Sequence, residues 1–178
     1  MLSRASLVRR ARRIRLLILD VDGVLTDGHL LYGPAGETLE RFHIHDGLAL
    51  VAWRKAGLSL AVLSGRRSRA VARRMADLGI EALYQGVTRK LPKYKTLLRM
   101  FHCQDHEVAV MGDDLTDLPL LARAGLAIAP ANAVPEVKGE ADLVTRRKGG
   151  NGAVREAVEV ILRAQGRWGV LVRRSRNG

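Results

Sequence analysis

A single cysteine, Cys103, occurs in the chain, which excludes an internal disulfide framework and any multi-cysteine metal site. Within its apolar helical surroundings it reads as a small core hydrophobe. Aromatic residues make up only 4%, and almost none interleave with the arginine runs, so a stacking platform for single-stranded nucleic acid is not supported. No apolar run approaches the roughly 20 residues of a bilayer span. The arginine-rich start, "MLSRASLVRRARRIR", leads into no apolar stretch or cleavage site of a secretory signal, so no membrane association is expected and a cytoplasmic protein is. Acidic residues are missing from 1–15 and from 163–178, which hold six and five arginines. Between those ends 19 basic residues face 18 acidic ones, so the net charge of +12 belongs to the ends and the middle is nearly neutral. Basic ends hold nucleic acid or an anionic surface weakly and in a salt-dependent way. They serve equally as solvated tails or oligomer contacts, and a nucleic-acid partner is not the favoured reading.

Neither an internal repeat nor an interdomain linker is visible, and 178 residues suit one domain with a full core. What is present is an alternation of short apolar runs with helical patterns. "LLIL" (16–19) is continuous rather than alternating, as in a central strand covered on both faces. "HLLYGPAGETLERFH" reads as a hairpin over 29–43 turning at Gly-Pro-Ala-Gly. Then follow a helix "LALVAWRKAG", a strand "LSLAVLSG", a helix "RRSRAVARRMADLG", a short strand "EALYQG" and a helix "KLPKYKTLLRMFH". After them come a strand "EVAVMGDD", a helix "LTDLPLLARAG", strands "LAIAPA" and "ADLVT", a glycine-rich "GGNG" read as flexible, and a helix "GAVREAVEVILRAQG". This order predicts βαβ units with right-handed crossovers: a Rossmann-like three-layer α/β/α fold with a parallel sheet and a hairpin extension.

Parallel strands bring their carboxyl ends to one edge, where open α/β sheets bind ligands. Asp20 and Asp22 follow the first strand, Ser64 the second, Asp113, Asp114 and Asp117 the third, and Lys90 opens a helix on the same side. Asp20, Asp22 and Asp113 supply hard oxygen donors suited to Mg²⁺. A calcium EF-hand fails, because the fifth and sixth positions counted from Asp20 are Val24 and Leu25. A turn or helix cap explains one or two of these aspartates. It does not explain carboxylates ending two buried strands, since unpaired buried charge is costly. Beside a cation, Asp20 can attack a phosphoryl group as nucleophile and Asp22 can serve as general acid and base. Ser64 would then hydrogen-bond a phosphoryl oxygen and Lys90 would neutralise its charge.

"DVDGVLTDG", "LSGR", "QGVTRK" and "GDDLTDLP", in that order, resemble the four motifs of the haloacid dehalogenase superfamily of phosphatases. The hairpin, the Asp46-Gly47 pair and the ending "TRRKGGNGAVREAVEVILRAQG" make the resemblance closer to the 3-deoxy-D-manno-octulosonate 8-phosphate phosphatases of lipopolysaccharide synthesis, over about residues 14–167. The resemblance implies Asp20 as nucleophile, Asp22 as acid/base and a metal ligand through its backbone carbonyl, Asp113 as a direct metal ligand, and Asp114 and Asp117 as supports. It further implies substrate contacts at His45, Asp46, Gly47, Gly65, Arg66, Arg74 and Lys90. Arg66 and Arg74 are eight positions apart, which predicts one helix face aimed at an anionic sugar carboxylate or phosphate. The gaps between Asp22, Ser64 and Lys90 leave no room for a cap domain. Similar enzymes wall their sites as homotetramers, so four chains are expected, with "GGNG" letting the C-terminal segment reach a neighbour. Val51 stands where the subfamily often has a basic residue. A nearby branch acts on nine-carbon keto-deoxy acid phosphates and carries an acid where this chain has Arg66, which favours the eight-carbon substrate. The nine-carbon substrate, a polynucleotide phosphatase and a basic nucleic-acid-binding protein remain as alternatives.

Overall fold

In the computed structural model of the chain, which describes residues 3–34 and 38–176, the apolar run Leu16–Leu19 is strand β1, buried at all four positions. It follows helix α1 (Arg4–Ala11) and precedes a two-stranded hairpin of β2 (Leu31–Tyr32) and β3 (Thr38–Leu39). Next come α2 (Ile44–Lys55), β4 (Ser59–Leu63), α3 (Arg69–Asp77), β5 (Leu83–Tyr84), α4 (Lys90–Met100) and β6 (Val108–Met111). The chain ends through α5 (Leu118–Leu121), β7 (Leu126–Ala129), α6 (Pro135–Glu140), β8 (Leu143–Val144), α7 (Ala153–Ala164) and α8 (Trp168–Arg176).

Six strands form one sheet in the order β5-β4-β1-β6-β7-β8, and every pairing within it is parallel. Strand order reverses at β1, the switch point where such sheets open a crevice beyond their carboxyl ends. The unbroken apolar run follows from cover on both faces. Leu17 and Leu19 join the cluster under α2 and α7, while Leu16 and Ile18 join the one under α4 and α5. The doubly wound fold is therefore the one expected.

Several local expectations change. The basic ends are not merely solvated tails: α1 lays Leu7 and Ala11 on the core cluster that α7 also lines. Arg10 of α1 donates to Asp142 at 2.9 Å, and Arg12 donates to the Ala164 carbonyl at 3.2 Å. Trp168 of α8 is buried, with the Arg155 and Arg163 guanidiniums 4.6 and 5.6 Å from its ring centre. In the hairpin Leu31 pairs with Leu39 and Tyr32 with Thr38; the last two residues of the expected turn, Ala35 and Gly36, lie outside the described residues. Leu30, Leu31, Tyr32 and Leu39 are exposed. Phe42, in the same segment, instead packs against the core. Among the described residues no helix is long and apolar enough to cross a membrane.

Candidate active site

Beyond the last residue of β1 the chain stays extended long enough for the Asp20 N–H to donate to the Met111 carbonyl of β6 at 3.0 Å. The carboxyl ends of the two strands are thereby tied together, and the side chains that follow them meet. They line a crevice of about 290 Å³ formed by Asp20, Asp22, Gly23, Gly28, Gly65, Arg66, Lys90, Asp113, Asp114 and Thr116. Lys90, the first residue of α4, projects its ammonium between two carboxylates, 2.9 Å from Asp20 Oδ1 and 2.7 Å from Asp117 Oδ1. All three side chains are at least nine-tenths buried. Asp117 is held in turn by the Asp113 backbone N–H, which donates to its Oδ2 at 3.1 Å. Asp114 spends its carboxylate on the first turn after β6, accepting from the Leu115 N–H at 2.7 Å. A tight loop after Asp22 makes room for all this. Gly23 has φ +79°, and a Cβ there would overlap the Asp113 carboxylate, so glycine is needed on both counts.

Electrostatically this cluster is short of positive charge. Burial raises the Asp20 carboxyl to about 6, with Asp117 adding repulsion and Lys90 opposing both. Burial also raises Asp113 to about 7, with the Asp20, Asp117 and Asp114 charges adding to it. Burial works against the Lys90 ammonium, but its two carboxylate partners outweigh that and hold its pKa above the ordinary value. Asp20, Asp113 and Asp117 each offer one oxygen within 4.8 Å of the others. Three hard donors so close, with the raised pKa values of Asp20 and Asp113 relieved by any added positive charge, fit a small divalent cation such as Mg²⁺. Asp117, expected as a support, lies within this carboxylate cluster. The Asp22 carboxylate faces the Arg66 Nε at 3.5 Å, which leaves its backbone carbonyl as the donor expected for the ion.

Other expected residues are placed differently. Ser64 is buried behind the crevice wall, where its Oγ accepts the Arg66 N–H at 3.2 Å. Arg66 and Arg74 do not share a helix face, because Ser68 caps α3 by accepting the Val71 N–H, leaving Arg66 in the preceding loop. Arg74 lies over Gly47, where a Cβ would overlap its guanidinium, and is not among the crevice residues. The 45–47 segment is likewise absent from the crevice of its own chain. His45 borders a separate cavity of about 970 Å³ beside α7. Asp46 caps α7, its two oxygens accepting from Arg155 N at 2.7 Å and Gly152 N at 3.1 Å. Burial raises the Asp46 pKa in spite of those bonds. "GGNG" is no flexible joint either. Gly149 and Gly150 press on the backbone of residues 23–27, where a Cβ at either would collide. Asn132, which nothing in the sequence singled out, clamps the approach by donating to the Gly23 carbonyl at 2.9 Å and accepting from the Gly149 N–H at 2.6 Å. Thr116, within "GDDLTDLP", also lines the crevice.

A buried carboxylate ending one central strand, an acidic loop ending its neighbour and a buried lysine between them define a haloacid dehalogenase-like hydrolase. The family model of that description matches residues 80–157. The 3-deoxy-D-manno-octulosonate 8-phosphate phosphatase of Yersinia pestis is 45% identical over 158 residues, 89% of this chain and 84% of that protein. Its counterpart in Escherichia coli K12 is 43% identical over 163 residues, 92% of this chain and 87% of that protein. The crystal structure of the Moraxella catarrhalis phosphatase of the same name, in complex with magnesium, phosphate and KDO, superposes with a TM-score of 0.93 at 36% identity, covering 96% of this chain and 98% of that one. The chain belongs to the 3-deoxy-D-manno-octulosonate 8-phosphate phosphatase family.

Proposed function

We propose that this chain is a Mg²⁺-dependent phosphatase that hydrolyses 3-deoxy-D-manno-octulosonate 8-phosphate to 3-deoxy-D-manno-octulosonate and phosphate, in the synthesis of lipopolysaccharide precursors. The observation that carries this reading is the buried lysine bridging Asp20 and Asp117 at the floor of the crevice, in a chain whose relatives are named for that activity.

The chemistry follows from the placement of each group. Asp20, with a carboxyl near 6, is mostly ionised at neutral pH and attacks phosphorus. The bond from phosphorus to the sugar oxygen breaks, and that oxygen takes a proton from Asp22. The ionised Asp22 then draws a proton from water as the water oxygen attacks phosphorus, which frees phosphate and restores both aspartates. Lys90 keeps Asp20 aligned through its 2.9 Å contact and offsets charge on the transferring group. Mg²⁺, held by the Asp20 and Asp113 carboxylates and the Asp22 carbonyl, would supply hard positive charge for the phosphoryl oxygens. Ser64 keeps a hydroxyl hydrogen to donate, and Arg66 at the rim suits the carboxylate of the sugar acid.

The crevice is open, and among the described residues no inserted segment between Asp22, Ser64 and Lys90 forms a cap over it. The exposed hairpin residues Leu31, Tyr32 and Leu39 support a homotetramer in which neighbours wall each site. The whole chain then acts as a single cytoplasmic phosphatase domain. Phosphate release from a panel of phosphorylated 2-keto-3-deoxy acids, with and without Mg²⁺, tests the reading. The eight-carbon acid should be preferred over the nine-carbon one, and Asp20→Asn should lower turnover on the order of 10⁴-fold while the fold persists. Turnover retained by that variant would sink the mechanism.

A further inference from the structure

Among the described residues Arg66 is the one guanidinium on the crevice wall, and what holds it there is a hairpin residue that plays no part in the chemistry just described. Glu40 follows β3 directly. Its Oε1 accepts from Arg66 Nη2 at 3.0 Å, and its side chain is 99% buried while Arg66 keeps a third of its surface open. The second oxygen, Oε2, is buried and finds no hydrogen-bond partner among the described residues. Glu40 thus has a single cationic partner, and a buried carboxylate with one partner is strongly committed to it. On its other side Arg66 reaches Asp22 through Nε at 3.5 Å. Without Glu40 the guanidinium would be free to collapse onto Asp22 or swing into solvent. The neighbouring residue steadies the clamp: Arg41 pairs with Asp27 at 2.5 Å, on the loop that leaves the crevice. The hairpin exit is therefore pinned to both rims.

We propose that Glu40 is the positioning residue for Arg66, fixing the guanidinium at the distance from Asp22 at which it selects a substrate bearing a carboxylate remote from the phosphate. The proposal rests on the substrate reading above. Glu40 touches no reacting atom; it acts through Arg66, so its removal should change selection rather than phosphoryl transfer.

Steady-state kinetics on the full-length protein test this, with 3-deoxy-D-manno-octulosonate 8-phosphate and p-nitrophenyl phosphate as paired substrates. Glu40→Ala should raise KM for the sugar acid about tenfold, the scale of one lost charged hydrogen bond, with kcat held within about twofold. KM for the aryl phosphate, which has no carboxylate, should stay unchanged. Glu40→Gln keeps an oxygen for Arg66 Nη2 and the same shape, so it should recover most of the loss and guards against a folding defect in the alanine variant. The double variant Glu40→Ala/Arg66→Ala should be no worse on the sugar acid than Arg66→Ala alone. Additive losses, or equal losses on both substrates, would overturn the role of Glu40. A wild-type protein with no preference for the sugar acid would overturn the substrate reading itself, and wild-type preference retained in Glu40→Ala would overturn only the positioning.

Discussion

In the crevice, carboxylates and an ammonium are buried at the ends of two strands covered on both faces, whereas the hairpin sets Leu31, Tyr32 and Leu39 in solvent on strands of two residues each. The crevice side chains are held by one another and by the sheet: Asp20 by β6 and Lys90, Asp117 by Lys90 and the Asp113 backbone. The hairpin is tied down at its ends, where the His29 N–H donates to Asp27 and where Glu40 and Arg41 pair with Arg66 and Asp27; a two-stranded ribbon is marginal by itself. Charge that would destabilise an ordinary core is concentrated where substrate charge must be met. Apolar surface that would ordinarily be core is displayed where another surface must be met. The two regions thus hold unfavourable groups of opposite kinds, and each points to what it lacks.

The largest way to break the contrast is to remove the cation from the crevice. Lys90→Met leaves Asp20 and Asp117 buried against each other, and breaking a buried ion pair by deleting one partner costs about 3–5 kcal/mol. Turnover should fall on the order of 10²-fold or more through lost electrostatic stabilisation. The melting temperature should drop by roughly 2–4 °C for each kcal/mol lost. Calorimetry alongside phosphate release checks both, and a Lys90→Met protein as stable as wild type would mean that the bridge does not organise the site.

A gentler probe uses protons and Mg²⁺ as competitors for the same carboxylates. Asp113 and Asp20 have pKa values raised from 3.8 to about 7 and about 6, so in chelator the folded state binds protons more tightly than the unfolded chain. Their contribution to stability is complete below the unfolded pKa and is lost as pH rises through 6 and 7. Two thermal melts in chelator, at pH 8 and pH 6, should show the crevice more stable at pH 6. Saturating Mg²⁺ should abolish that difference by stabilising pH 8 more, by about 2.7 kcal/mol at a hundredfold excess over Kd, because protons must leave before the ion binds. Equal Mg²⁺ stabilisation at the two pH values would contradict the assignment of Asp113 to the ion.

How far the sequence reveals these regions differs for a physical reason. The crevice chemistry is legible because each functional group sits one or two residues past a continuous apolar run, so pattern and position coincide at Asp20, Asp22 and Asp113. Ser68 carried a readable N-cap signal that would have excluded Arg66 from α3. Glu40 carries no such signal: its partner Arg66 is 26 residues away, and only the fold brings them together. Asn132 and Asp46 are similar, each completing backbone more than 100 residues distant. The glycines of "GGNG" signal either freedom or close approach, and only the packing against residues 23–27 decides for close approach. Helices α1 and α8 are not legible in the sequence because their ordering comes from burial against α7 rather than from a strong apolar stripe of their own.

The smallest effect on the fold should come from the hairpin, and there the contrast is sharpest. Leu31 is 58% exposed and Tyr32 70% exposed, so Leu31→Ser removes little that the isolated chain buries and should change its own stability by no more than about 0.5 kcal/mol. If the ribbon meets a second copy of the chain, the same substitution takes a leucine out of an interface, where full burial is worth about 1.5–3 kcal/mol per side chain. Repeated by symmetry at each contact, that loss moves dissociation into an accessible concentration range. Light scattering over a dilution series should therefore show the variant falling to smaller species at concentrations where the wild type stays assembled. The crevice should pass this test untouched, because Lys90, Asp20 and Asp117 make their contacts within one chain, so turnover on a small aryl phosphate should survive dilution. An assembly that ignores Leu31→Ser at every concentration would remove the hairpin from the interface and leave its exposed apolar side chains to be explained by another partner.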